Sequence, residues 1–88
     1  MPLETAPDWW DFELELSPHL LDRMIDRDFS EAELRLMVEV ADGLRPGSSL
    51  GRWIVETTHH GDVWEVVVEP DDSDRVIVVI TAYKVTAW

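Results

Sequence analysis

The sequence predicts a small α+β domain in which a short N-terminal strand and two helices pack on a three-stranded antiparallel sheet, in the order β-α-α-β-β-β. Residues 12–16 alternate Phe and Leu with Glu, the period of a half-buried strand. Apolar residues then recur at helical spacing over 18–41, and runs of Val, Ile and Trp follow over 52–85. A chain of 88 residues cannot fill a second core. We therefore expect one domain over 12–88 behind an irregular arm over 1–11.

The first half of the chain contains the N-terminal signals of two helices. Ser17 followed by Pro18 is typical of an N-cap residue with proline in the first helical position, where the missing N–H does no harm. Ser30 and Glu33 form a capping-box pattern for the second helix, which we expect to end near Gly43. Both helices then present an apolar stripe to the sheet.

The second half of the chain is predicted to form the sheet. The runs 52–59, 62–69 and 75–85 are dense in β-branched and aromatic residues and are separated by turn residues, which indicates an antiparallel meander. The segment 44–51 is rich in Gly, Ser and Pro, and it predicts a loop. The helices are expected to cover one face of the three strands.

The turns decide which side chains share that face. We expect His59 opposite Asp62 at the first turn and Pro70 opposite Arg75 at the second, 71-DDSD-74. On this register the helix-covered face carries Trp53, Val55, Thr57, His59, Trp64, Val66, Val68, Ile77, Val79, Thr81 and Tyr83. A buried polar group without a partner costs about 1–3 kcal/mol, so the groups at its polar end should either meet partners or line an open cleft where helices and sheet meet.

Histidines are the candidates for chemistry, and each has an ordinary structural interpretation as well. His19 and Arg23 lie four residues apart on one helical face, a spacing that by itself favours a solvated edge. His59 and His60 stand at a hairpin tip, and successive strand residues point to opposite faces. With no third ligand at a recognisable spacing, we expect no metal and no cofactor. The acidic run 69–74 is read as a solvated turn, since it lacks an EF-hand pattern.

The charge of the chain restricts its partners. Seven Lys and Arg stand against nineteen Asp and Glu, a formal net charge of −12, which opposes a polyanion at long range and favours a basic partner. The absence of Cys fits a reducing compartment. No apolar run approaches the length of about 18 residues that spans a bilayer. These features predict a cytoplasmic protein without a membrane partner.

Several segments together resemble a family of small bacterial domains, the domain-of-unknown-function 4258 family, over about residues 12 to 85. The matching pieces are 16-LSPHLLDRM-24, 29-FSEAELR-35, 51-GRWIVET-57, 64-WEVVVEPD-71 and 78-VVITAY-83. That family is distantly similar to the toxin ribonucleases of the barnase–EndoU–colicin–RelE group. Those enzymes pack N-terminal helices on an antiparallel sheet, cleave RNA without a metal and often belong to toxin–antitoxin modules. The resemblance implies a site made of His19, Arg23, Arg52, His59, Thr81 and Tyr83.

Two functional hypotheses follow from the resemblance and the charge. In the first, the chain is a metal-independent endoribonuclease with an RNA substrate and a basic antitoxin-like protein partner. His19 or His59 would then exchange protons, Arg23 and Arg52 would hold phosphate, and Thr81 and Tyr83 would bind or stack. In the alternative, the fold is a non-catalytic binding or regulatory domain whose acidic surface meets a basic protein. His19, Arg23 and Tyr83 would then form a hydrogen-bonded lock between helix and sheet.

Overall fold

The protein folds into two layers, a five-stranded sheet with two helices on one face. The computed structural model describes residues 7–85, so residues 1–6 of the predicted arm over 1–11, and the last three residues of the predicted domain, lie outside the described residues. The elements are β1 (Glu13–Leu16), α1 (Pro18–Arg27), α2 (Glu31–Glu39), β2 (Gly43–Pro46), β3 (Trp53–His59), β4 (Asp62–Asp71) and β5 (Val76–Lys84). A short 3-10 helix, Asp8–Asp11, precedes them and buries Trp10. The predicted α+β class is confirmed.

The sheet is wider than predicted, with the strand order β1-β5-β4-β3-β2. The central antiparallel meander β3-β4-β5 is as expected. The prediction of only three strands is wrong, because β1 pairs in parallel with β5 and β2 pairs antiparallel with β3. β2 falls largely within the segment 44–51 that the sequence predicts to be a loop. Its Pro46 is tolerated because β2 is an edge strand.

Both helices begin where their capping residues predict. Ser17 Oγ accepts a hydrogen bond from the Leu20 N–H (3.1 Å). Ser30 and Glu33 form both hydrogen bonds of the capping box. α2 ends earlier than expected, because Gly43 already belongs to β2. Neither helix of the described residues has the length and apolar character needed to cross a membrane.

The hydrophobic core lies between the helices and one face of the sheet. Its buried residues are Trp10, Leu20, Phe29, Leu34, Met37, Val38, Ala41, Val55, Trp64, Val66, Val68, Ile77, Val79 and Ala82. Thr57 is the polar residue buried among them, and its hydroxyl donates to the Met37 carbonyl oxygen. The predicted covered face is therefore confirmed for β3, for β4 and for the first half of β5.

The second turn keeps its predicted length of four residues but lies one residue later in the chain, at 72–75. Asp71 is still paired, and its carboxylate accepts hydrogen bonds from the backbone N–H groups two and three residues on (2.9 and 3.1 Å). Arg75 adopts a left-handed conformation (φ 56°) within the turn. Consequently Pro70 pairs with Ile77 and not with Arg75, a shift of two residues that keeps the same residues on the covered face.

A β-bulge at Ile80 then reverses the faces of β5. Val68 pairs with Val79, but the preceding Val67 pairs with Thr81, so one extra residue lies on β5. Beyond the bulge Ala82 and Lys84 take the covered-face positions, while Thr81 and Tyr83 take positions on the open face of the sheet. The prediction that Thr81 and Tyr83 share the covered face is therefore wrong, since an unpaired residue shifts the alternation by one.

Candidate active-site cleft

A cleft of about 490 Å³ opens where the end of α1 meets the β3–β4 hairpin and the end of β5. It is lined by Arg27, Asp28, His59, His60, Asp62, Trp64, Tyr83 and Lys84. Of the six predicted site residues, His59 and Tyr83 are therefore among its walls. The predicted junction between helices and sheet does carry a cleft, although most of its polar groups differ from the predicted ones.

The hairpin tip brings two imidazoles together. His59 pairs with Asp62 as predicted, and His60 and Gly61 form the two-residue turn with φ of 51° and 81°. Positive φ at both positions is the type I′ geometry that right-twisted hairpins prefer. The two rings meet edge to face with their centroids 4.1 Å apart. The expectation that they point to opposite faces is wrong, because that rule applies to strands and His60 belongs to the turn.

Glu33 joins the two histidines to α2, and we call Glu33, His59 and His60 the tip cluster. Glu33 Oε2 lies 3.3 Å from His59 Nε2 and 3.1 Å from His60 Nε2. The other carboxylate oxygen accepts the Ser30 N–H of the capping box (2.9 Å). That backbone hydrogen bond, with a contribution from His60, lowers the pKa of Glu33 below its usual value. One charged carboxylate oxygen is thus shared by two rings.

The two histidines differ in their access to solvent. The His59 side chain is 12% exposed and stands edge-on to Trp64, with centroids 5.5 Å apart. Trp64 is itself packed against Phe29 in the core. The His60 side chain is 71% exposed. His59 is thus held in place by the core, while His60 can meet a ligand directly.

Arg27, from the last turn of α1, supplies the cleft with a cation. Its Nη1 donates to the Ala82 carbonyl oxygen at 2.8 Å and lies 3.5 Å from Thr81 Oγ1. Among residues 7–85 it makes no ion pair with a carboxylate, in contrast to Lys84, whose Nζ lies 3.9 Å from Asp62. Sequence reasoning missed Arg27, because its position at the border of the apolar stripe resembles that of any solvated arginine.

Three predicted site residues lie elsewhere. His19 is exposed on α1 and makes no hydrogen bond within the described part of the chain. Arg23 pairs with Asp26 one turn away on the same helix (3.4 Å). Arg52 pairs with Glu69 across β3 and β4 (3.3 Å). The structure therefore does not gather the predicted constellation into one site.

A second polar group lies on the open face, and we call its members, Arg45, Glu56, Glu65 and Tyr83, the open-face cluster. The Tyr83 hydroxyl donates to Glu65 (2.6 Å), and Arg45 donates to Glu65 (2.9 Å) and to Glu56. The tyrosine hydroxyl, aided by Arg45, lowers the pKa of Glu65. Glu65 in turn raises the pKa of Tyr83. Tyr83 thus borders the cleft with its hydroxyl already committed to Glu65.

Comparison with known proteins places the chain in a family without giving it an activity. The model of a family described as Domain of unknown function (DUF4258) matches residues 16–84, which include both helices and the strands β2 to β5. The chain matches no curated protein and no solved structure. What the cleft can do has to be argued from its own side chains.

Proposed function

The chain belongs to the DUF4258 family, and on that premise we propose that it is a toxin-like, metal-independent endoribonuclease acting at the cleft. The observation that carries the proposal is the pair of imidazoles of the tip cluster beside Arg27, a cation with no carboxylate partner in the described chain. The resemblance to toxin ribonucleases supports the reaction class. His59 is retained from the predicted site, and His60 and Arg27 are added to it.

Two imidazoles suit the cleavage of RNA without a metal. Imidazole is the side chain that exchanges protons most readily near neutral pH. One ring takes the proton from the ribose 2′-hydroxyl as its oxygen attacks the adjacent phosphorus. The bond from phosphorus to the 5′-oxygen breaks, and the other ring gives a proton to that leaving oxygen. The products are a 2′,3′-cyclic phosphate and a 5′-hydroxyl, and the two rings have exchanged their protonation states.

Arg27 is the group that stabilises the phosphate. One of its nitrogens is occupied by the Ala82 carbonyl, and a guanidinium has five N–H donors in a planar fork. The donors left over can bind the non-bridging phosphoryl oxygens, where charge accumulates as the bond forms. Lys84 also lines the cleft, but Asp62, 3.9 Å from its Nζ, offsets its charge. Arg27 is therefore the cation that opposes the net charge of −12 where the phosphate sits.

The test is cleavage of a mixed-sequence RNA in the presence of EDTA. We expect wild type to cut it and His60→Asn to cut it at least about 100-fold more slowly, the usual scale for losing a proton-transfer group. Asn is the residue that type I′ turns favour at this position, so the hairpin should be retained. His19→Gln removes the exposed histidine of α1 and serves as the matched control, with activity unchanged. A pure wild type that leaves all RNA intact overturns the proposal.

A second candidate function is favoured by the open face of the sheet. There the half-buried residues Ile54, Val67 and Val78 are bordered by acidic side chains. The carboxylates on this face come from Glu13, Glu15, Glu56, Glu65 and Glu69. Arg45 and Arg52 are the cations among them, and both are paired. Such a surface suits a non-catalytic binding or regulatory domain with a basic protein partner.

A further inference from the structure

We propose that the tip cluster binds one Zn²⁺ ion through Glu33 Oε2 and the Nε2 atoms of His59 and His60. The three residues each offer one ligand atom, and these atoms lie within 4.8 Å of one another. Two imidazoles with one carboxylate are a ligand set that zinc uses in proteins. The proposal goes beyond the cleavage of RNA and stands without it, since it concerns metal binding alone.

The distances fit a tetrahedral ion. Zinc bonds of about 2.0–2.1 Å at the tetrahedral angle separate two ligand atoms by about 3.3 Å. Glu33 Oε2 lies 3.3 Å from His59 Nε2 and 3.1 Å from His60 Nε2. Two edges of the coordination tetrahedron are therefore already present. Binding would replace the hydrogen bond between His60 and Glu33, and the close contact between His59 and Glu33, by metal bonds, and any proton on either Nε2 would be lost.

The ligands are also held by neighbours that do not coordinate. Glu33 is fixed by the Ser30 N–H through its second oxygen, and His59 is fixed by its packing against the Trp64 ring. Partners of this kind orient metal ligands and raise affinity. His60 lies at the open side of the cluster, with 71% of its side chain exposed. A fourth ligand, either water or a substrate oxygen, can therefore reach the ion from the cleft.

A bound ion would change what the cleft can do. Metal on both Nε2 atoms removes the nitrogen lone pairs that acid–base catalysis needs. Zinc would therefore inhibit a metal-independent ribonuclease at this site, and chelation would restore it. This consequence rests on the proposed function, whereas metal binding itself does not.

The experiment is a titration of the purified full chain with Zn²⁺ in competition with a chromogenic chelator, without RNA. We expect wild type to bind one equivalent, and His60→Asn and Glu33→Gln each to weaken binding by more than about tenfold, since even a non-coordinating partner is worth 10–100-fold. Glu33→Gln keeps the capping box, because glutamine also serves at that position. His19→Gln is the matched histidine control and should bind as wild type does. Zinc should raise the Tm of wild type and of this control, and leave that of His60→Asn unchanged.

Two results would overturn the proposal. One is the absence of competition by wild type even at millimolar zinc. The other is equal affinity in wild type, His60→Asn and Glu33→Gln, which would place the ion elsewhere on the acidic surface. Because no RNA is used, a chain that binds zinc but never cleaves RNA contradicts only the proposed ribonuclease.

Discussion

The open-face cluster and the tip cluster are built from similar polar groups but differ in how those groups are matched. In the open-face cluster, Arg45 lies between two carboxylates and Tyr83 donates to one of them. In the tip cluster two imidazoles compete for one oxygen of Glu33, and Arg27, which has no carboxylate partner among residues 7–85, lies at the same cleft. Groups that neutralise one another hold the sheet together. Groups that share one partner can still bind or exchange a proton, or bind phosphate or a metal ion.

The largest expected effect is a difference in RNA cleavage between variants of Arg27 and of Arg45. Arg27→Gln should slow RNA cleavage by roughly 100-fold, the scale for losing one donor to a developing charge, with only a small change in stability. Arg45→Gln should leave cleavage within about threefold and lower the free energy of unfolding by a small but measurable amount, because it unpairs two partly exposed carboxylates. Single-turnover cleavage and urea unfolding of both variants measure this. Equal loss of cleavage in the two variants would contradict the distinction between the clusters.

An intermediate effect concerns Tyr83. Tyr83→Phe should lower the free energy of unfolding by about 1–2 kcal/mol at pH 7, because a hydrogen bond to a charged group is lost. Since the pKa of Glu65 is lowered in the folded state, this stabilisation is present above the usual glutamate pKa of about 4.3 and declines as the pH falls below it. Urea unfolding of wild type and Tyr83→Phe between pH 3 and 7 should show the difference shrinking toward acid. A difference that grows toward acid would show that Glu65 is not the partner that matters.

The smallest effect tests the second candidate function. If the open face binds a basic partner, Glu13→Gln combined with Glu15→Gln should weaken binding of a lysine-rich peptide by roughly threefold, because exposed charges contribute little each. Raising the salt from 0.1 to 0.5 M should weaken it as well, since exposed charges are screened over about 10 Å at 0.1 M. Fluorescence anisotropy measures both. His60→Asn, in the tip cluster, is the control. If this variant lost peptide binding, the binding surface would lie at the hairpin tip and not on the open face.

Local chemistry made much of the fold predictable. Ser17 and Ser30 cap the helices that they predict, and the alternation along β3 and β4 identifies the covered face. Both depend on interactions between residues close in sequence. The sequence predicts β1 as a strand outside the sheet and most of β2 as part of a loop. β1 pairs with β5, and β2 pairs with β3, through tertiary contacts that a sequence of four residues does not specify.

The site was less predictable than the fold, for a related reason. One bulged residue, Ile80, decides which face Tyr83 occupies, and bulges leave no clear trace in a run of Val, Ile and Thr. The tip cluster needs Glu33, which lies 27 residues from His60 in sequence and is already explained by its role in the capping box. The one available signal was His60 before Gly61, where Asn would be the ordinary residue of a type I′ turn.

The margins of the sheet offer little to a neighbouring chain. β1 and β2 are only four residues long, and they carry Glu13, Glu15 and Pro46, which discourage a further strand from pairing. Beyond the end of β1, the carbonyl groups of β5 that would face a further strand accept hydrogen bonds from α1 and its N-cap residue. Ser17 N–H donates to the Val79 carbonyl, Ser17 Oγ to that of Ile80, and Arg27 to that of Ala82. A fold built on a five-stranded sheet is thereby protected against edge-to-edge aggregation, and Arg27→Gln should make the chain more prone to it on prolonged storage.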